Sequence, residues 1–386
     1  MADSHNNNID SSENSEPMEP MEPSITHFDD KGDIRLIVSN QATSETKVFI
    51  ASSKAMSMAC DAWNAMLNGH FKESQPSSFG QREIELLDDD PEALGILLSI
   101  AHLRFNSVPR SLEISLLQKI TMLTDKYDAT HLLGPWCPDW LNSAPKFEKS
   151  EVPKNPNEFE KVFRAWEILK KQPDVEPEPK FEDWLWIMWE LGQEERFESL
   201  ALGLVKTIRL GPDGECLTAS GKTLDSSSDF QHIPPESIME VRKKTVTAML
   251  EYTDAILDRF FNAYASGKSV CSPDMHSQKD TFECDSMVLG SLTLLLRRAG
   301  LTGNLQKDSS AITKSINELY LKLDADMLKI KSLHDFESYE FQICENRLLS
   351  RQMRSRLLEM VRSIPSPLQE VHRRHLQHQA KKLRLC

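Results

Sequence analysis

Gly32-Asp33-Ile34-Arg35-Leu36-Ile37-Val38 and Lys47-Val48-Phe49-Ile50 decide how this chain is read. Each is a short run of β-branched and aromatic residues, and Ser39 to Thr46 between them is polar. Two such runs with a polar connection predict a β-hairpin with a longer loop. Ser52 or Ser53 then caps a helix expected to run through Met56, Ala59, Trp63, Met66 and Leu67 to Asn68-Gly69. Those apolar positions follow three-and-four spacing, so one face is buried. Arg82-Glu83-Ile84-Glu85-Leu86-Leu87 alternates and predicts a third strand. Asp88-Asp89-Asp90-Pro91-Glu92 then opens a helix, with an aspartate cap, a proline in the first turn and acids at the positive end of the dipole. Two further helices are expected over 112–128 and 130–141, after the break at Pro109.

This order of strand, strand, helix, strand and helix resembles the BTB/POZ domain, and the local wording is similar too. Gly32-Asp33-Ile34 looks like that family's opening strand, and Val48-Phe49-Ile50 with Ser53-Lys54 like its second strand and helix start. Ala65 to Glu73 looks like the end of its first long helix, and Asp89-Asp90-Pro91-Glu92-Ala93 like the start of the next hairpin. His102-Leu103-Arg104-Phe105, Val108-Pro109 and Asp125-Lys126-Tyr127 are similar to BTB chains of filamentous fungi in particular. The chain departs from the family at Ser53, where most members have His, and at Cys60 and Trp63, where Ser and Phe are usual.

The resemblance implies a short sheet with helical hairpins, and with the helical patterning of the residues after it the whole chain is expected to be α+β, mainly helical, its BTB/POZ fold followed by an all-α region. It implies protein–protein interaction and assembly, with self-association as a homodimer. It also implies a charged pocket at the dimer interface containing Asp33 and Lys54. Phe71-Lys72-Glu73 matches the hydrophobic–any–Glu wording with which BTB adaptors face a cullin scaffold, so Phe71 and Glu73 are candidate interaction residues. A cullin-type ubiquitin ligase adaptor is therefore an alternative role.

Beyond this region, residues 1–28 contain no Lys or Arg, repeat Met-Glu-Pro and read as a disordered acidic tail. The BTB/POZ domain is expected over 29–141, a proline-containing linker over 142–156, and a helical region over 157–363 with a mobile loop at 211–235. A basic tail follows over 364–386. Within the helical region, Trp184, Trp186 and Trp189 lie in a run that is apolar all round, the pattern of a buried helix.

Composition narrows the function. A net charge of −14 argues against general binding to nucleic-acid backbone. No uninterrupted apolar run reaches the roughly 18 residues of a membrane span, and no basic-then-apolar leader opens the chain. The seven scattered cysteines suit buried thiols in an intracellular protein of the cytoplasm or nucleus. Among them Cys271, Cys284 and Cys344, with His334, are candidate ligands of a structural zinc ion. The chain has no CxxC pair, however, and unconnected thiols are the plainer reading. Gly221-Lys222-Thr223 ends like a phosphate loop, but Cys216 stands where its first glycine belongs. No nucleophile elbow, HExxH or paired-carboxylate motif suggests an enzyme. The basic residues from His372 to Arg384 offer another alternative, a nuclear, transcription-associated factor whose tail directs nuclear entry.

Overall fold

The computed structural model describes residues 24–40, 45–74, 81–142, 181–219, 221, 223–224, 235–271, 278–301, 311–333 and 345–383. The fold is mainly helical with a small mixed sheet, and the chain divides into two compact units, Met1–Val108 and Pro109–Cys386. That division lies inside the 29–141 span expected as one domain.

The N-terminal unit holds a sheet of β1 (Ser24–His27), β2 (Ile34–Asn40), β3 (Glu45–Ala51) and β4 (Arg82–Leu86), in the order β1-β3-β2-β4. β2 and β3 form the expected antiparallel hairpin, with Ile34 opposite Ala51. β4 joins β2 in parallel, with Ile34 opposite Arg82 and Val38 opposite Leu86. Ile34, Leu36 and Val38 are fully buried while Arg35 and Ile37 are not, which is the period of two that a one-sided core imposes. The expected disordered tail is corrected at its end. Ser24–His27 pairs in parallel with β3, and Phe28 is buried with its ring edge-on to Phe49 at 5.4 Å. Residues 1–23 lie outside the described residues.

The helix expected over 52–69 is two helices, α1 (Ser53–Ala59) and α2 (Asp61–Asn68). Cys60 between them is extended, with φ −154° and ψ 131°. On either side of the break, Met56, Cys60, Trp63 and Leu67 all reach the core. α3 (Pro91–Ala101) starts as the sequence indicates: Asp90 Oδ1 accepts the N–H groups of Glu92 and Ala93 at 3.1 and 3.0 Å. Leu94, Leu97 and Leu98 fill the space over the sheet without exposure. α3 ends where Arg104 N–H bonds Ser99 O at 2.8 Å, which puts Leu103 at φ 58° in the left-handed position that glycine usually takes.

The C-terminal unit contains α4 (Ile114–Lys126), a 3-10 turn at Thr130–Leu133, α5 (Cys137–Asn142), α6 (Phe181–Glu190) and α7 (Glu194–Thr207). The long α8 (Pro235–Ala265), α9 (Gln278–Ala299), α10 (Ile316–Met327), α11 (Glu345–Arg362) and α12 (Glu370–Leu383) follow. The expectation of an all-α region is corrected by a two-residue antiparallel pair, β5 (Arg209–Leu210) with β6 (Cys216–Leu217), which falls partly inside the expected loop at 211–235. Gly214 supplies the positive φ, 80°, of the intervening turn. Trp184 to Trp189 is buried throughout, so α6 is a central core helix. α10 carries a complete capping box between Ser315 and Glu318. The linker at 142–156 lies outside the described residues apart from Asn142.

The basic tail is a docked helix. His372, Leu376, Gln379 and Leu383 are buried on one face of α12. Arg373 bonds both Glu194 and Glu198, and Lys382 reaches Asp128 at 2.5 Å. The His375 ring stacks on Trp189 at 4.0 Å. Arg384 lies outside the described residues.

Candidate functional site

In the N-terminal unit, Asp33 does not pair with Lys54. Its carboxylate accepts the Ser53 backbone N–H at 2.7 Å and the Ser53 hydroxyl at 2.5 Å. Lys54 is exposed, and no ion pair joins it to Asp33. Partial burial alone raises the Asp33 pKa, but the two bonds from Ser53 and the Arg82 charge outweigh it, so the carboxyl sits below its ordinary range. Ser53 is thus the partner of Asp33. His102 fixes the residue before it: the Ser52 N–H donates to Nε2 at 2.9 Å, while Nδ1 donates to Leu98 O at 2.9 Å. Only the neutral imidazole protonated on Nδ1 satisfies both contacts.

Phe71 is 59% exposed, a large aromatic side chain in water. The turn that carries it is nevertheless tightly held. Gly69 N–H closes on Ala65 O at 2.8 Å, and the Ser74 hydroxyl donates to Phe71 O at 2.6 Å. Arg82 Nη1, reaching from β4, donates to Leu67 O at 3.0 Å and Ser74 O at 3.4 Å, bracketing the segment. A second exposed apolar side chain, Met58 at 79%, follows Ser57, whose hydroxyl accepts the Asn68 amide at 2.9 Å. The Ser57–Asn68 bond therefore joins the stretches carrying Met58 and Phe71. Met58 carried no signal in the sequence, because it sits beside the buried Met56 in the same short helix. Glu73 belongs to the 3-10 turn Lys72–Ser74, and its side chain lies outside the description.

Of the zinc candidates, Cys271 and Cys284 are both fully buried and pack together against Leu333. Asp285 fastens the loop before α9, accepting the N–H groups of Val270 and Cys271 at 2.7 and 2.9 Å and the Asn346 amide at 2.6 Å. His334 and Cys344 lie outside the described residues. No group of three or more metal-ligating side chains occurs among those described. Gly221 and Thr223 belong to the margin of the β5–β6 hairpin, where Thr223 bridges Leu217, and Lys222 lies outside the described residues. No described helix is long and apolar enough to cross a membrane.

The chain matches no known protein family, no curated protein and no solved structure.

Proposed function

We propose that this protein is a binding and assembly factor that acts through its N-terminal unit, without catalysis, and that one of its partners is a second copy of itself. The observation that carries this reading is Phe71, an exposed aromatic side chain on a turn that is already immobilised. Preorganised aromatic anchors are the residues on which binding energy concentrates, because little entropy remains to be lost on docking. Met58, in the stretch that the Ser57–Asn68 bond ties to the end of α2, is a second exposed apolar side chain. The resemblance to BTB/POZ domains rests on an order of strand, strand, helix, strand and helix, and the succession of β2, β3, the α1–α2 pair, β4 and α3 supports the same reading.

Light scattering on the full chain across a concentration series tests the self-association. The expected result is a mass rising from the 44.0 kDa of one chain toward twice that value. A mass that stays at one chain throughout removes the second copy from the proposal. A second reading, cullin binding, draws on the exposure of Phe71 two residues before Glu73. It requires a larger complex with a cullin N-terminal domain that is lost in both Phe71→Ser and Glu73→Ala.

A further inference from the structure

The last residue of α6, Glu190, has no exposure to solvent. Its Oε1 takes the Thr130 hydroxyl, and the Thr124 hydroxyl lies 3.2 Å away. Its Oε2 takes the Gln379 amide of α12 at 2.6 Å. No cation pairs with it among the described residues. A buried carboxylate without a cation is unfavourable, and such a group holds its proton instead. The Thr124 hydroxyl divides its one proton between Thr121 O at 3.0 Å and Glu190 Oε1, so it is a weak donor to the carboxyl. Burial, the largest influence, and the neighbouring Asp125 charge push the Glu190 pKa up to about 7, against the pull of its three donors.

α12 is seated directly over this carboxyl, with its backbone against the neighbouring turns. Gly192, at φ 62°, lies so close that a Cβ there would stand 2.3 Å from Ala380 N and 2.6 Å from Leu376 O. At Gly134 a Cβ would stand 3.1 Å from Leu383 O. Three ion pairs of the seat lie at the rim, Arg373 with Glu194 and with Glu198, and Lys382 with Asp128. Gln379 is the α12 side chain that closes over Glu190, and its own carbonyl Oε1 has no partner. Water can reach an ionised Glu190 once Gln379 lifts away.

We propose that α12 is a pH-gated strap, seated while the Glu190 carboxyl carries its proton and released when that carboxyl ionises. A carboxyl with a raised folded pKa contributes stability that is complete below its ordinary range and lost as pH rises through the folded value. Seating is therefore firm in mild acid and weak in mild alkali. The other titratable and charged groups around the seat are Asp125 on α4, Asp128 after it, His131 on the 3-10 turn, Glu194 and Glu198 on α7, and His372, Arg373, His375 and Lys382 on α12. His372 is held below its ordinary pKa by burial, so it charges on the acid side of the transition. Release would free Arg373 and Lys382 from their acidic partners.

Hydrogen exchange of residues 370–383 in the full chain, corrected for intrinsic rates, tests this between about pH 6 and about pH 8.5. Protection in the native chain is expected to fall about tenfold across that range. Glu190→Gln, which keeps the shape and cannot ionise, is expected to hold protection constant. Glu190→Met serves the same purpose should the glutamine variant fold poorly. His375→Phe, which keeps the stack on Trp189, is expected to retain the native transition. Protection that is flat with pH in the native chain, or that falls equally in Glu190→Gln and Glu190→Met, or a transition that disappears in His375→Phe, overturns the proposal.

Discussion

The backbone N–H of Ser52 donates to Nε2 of His102, 50 residues away in sequence, at 2.9 Å. This bond ties the start of α1 to the end of α3 and requires a neutral ring. Burial, the largest influence, holds the His102 pKa below its ordinary value of 6.5. A histidine with a depressed folded pKa contributes stability that is complete above the ordinary value and is lost as pH falls through the lower one. Urea unfolding of the native chain is therefore expected to show a lower midpoint for the N-terminal unit near pH 5 than near pH 7.5. In His102→Phe, the ring is kept but the Ser52 N–H loses its acceptor, at a cost of about 1–3 kcal/mol near neutrality. The same variant should lose that part of the acid sensitivity.

Asp33 and Lys54 should separate cleanly on mutation. Asp33→Ala strips two hydrogen bonds from Ser53 and is expected to destabilise the unit by about 1–2 kcal/mol. Lys54→Ala removes an exposed charge and should stay within about 0.5 kcal/mol of the native chain. Thermal or urea unfolding reads both. Equal losses in the two variants would show that Lys54 holds Asp33 as firmly as Ser53 does.

Leu103 stands at φ 58° and is 74% exposed, so it bears the strain of the left-handed region and buries little in return. Leu103→Gly relieves that strain and is expected to stabilise the chain by about 1 kcal/mol. A loss of stability on this change would show that the side chain makes a contact that outweighs its backbone cost.

Gly192→Ala meets both a positive φ and the backbone of α12. It is expected to destabilise the C-terminal unit by about 2–4 kcal/mol and to raise hydrogen exchange in residues 370–383 first. A neutral effect would mean that α12 does not pack on this turn in solution.

The strands and helices of the N-terminal unit were legible because each carries its own period and its own cap. Ile34, Leu36 and Val38 alternate, and Asp90 with Pro91 announces α3. The break at Cys60 was not legible, since a single extended residue leaves the three-and-four spacing of Met56, Cys60, Trp63 and Leu67 intact. β1 was hidden by the acidic, proline-rich composition around four residues that bury no side chain of their own. The Asp33–Ser53 bond was missed because the resemblance directed attention to Lys54, one position away. Glu190 did carry a signal: a lone acid closing the run Trp184 to Leu191 must be buried if that helix is apolar all round. Likewise Leu376, Gln379 and Leu383 recur at helical spacing within the basic tail, which a freely solvated charge run does not require.

Sedimentation equilibrium of the native chain beside Phe71→Ser shows whether Phe71 anchors a protein interface. The expected result is a reversible dimer in the native protein and a dissociation constant weakened on the order of 30-fold in the variant, the scale of one aromatic anchor. The unfolding midpoint should be unchanged at dilutions where both proteins are single chains, because the ring is exposed there. Equal dimerisation in Phe71→Ser, or a native protein that stays a single chain at about 100 µM, would rule out Phe71 as the anchor of a dimer.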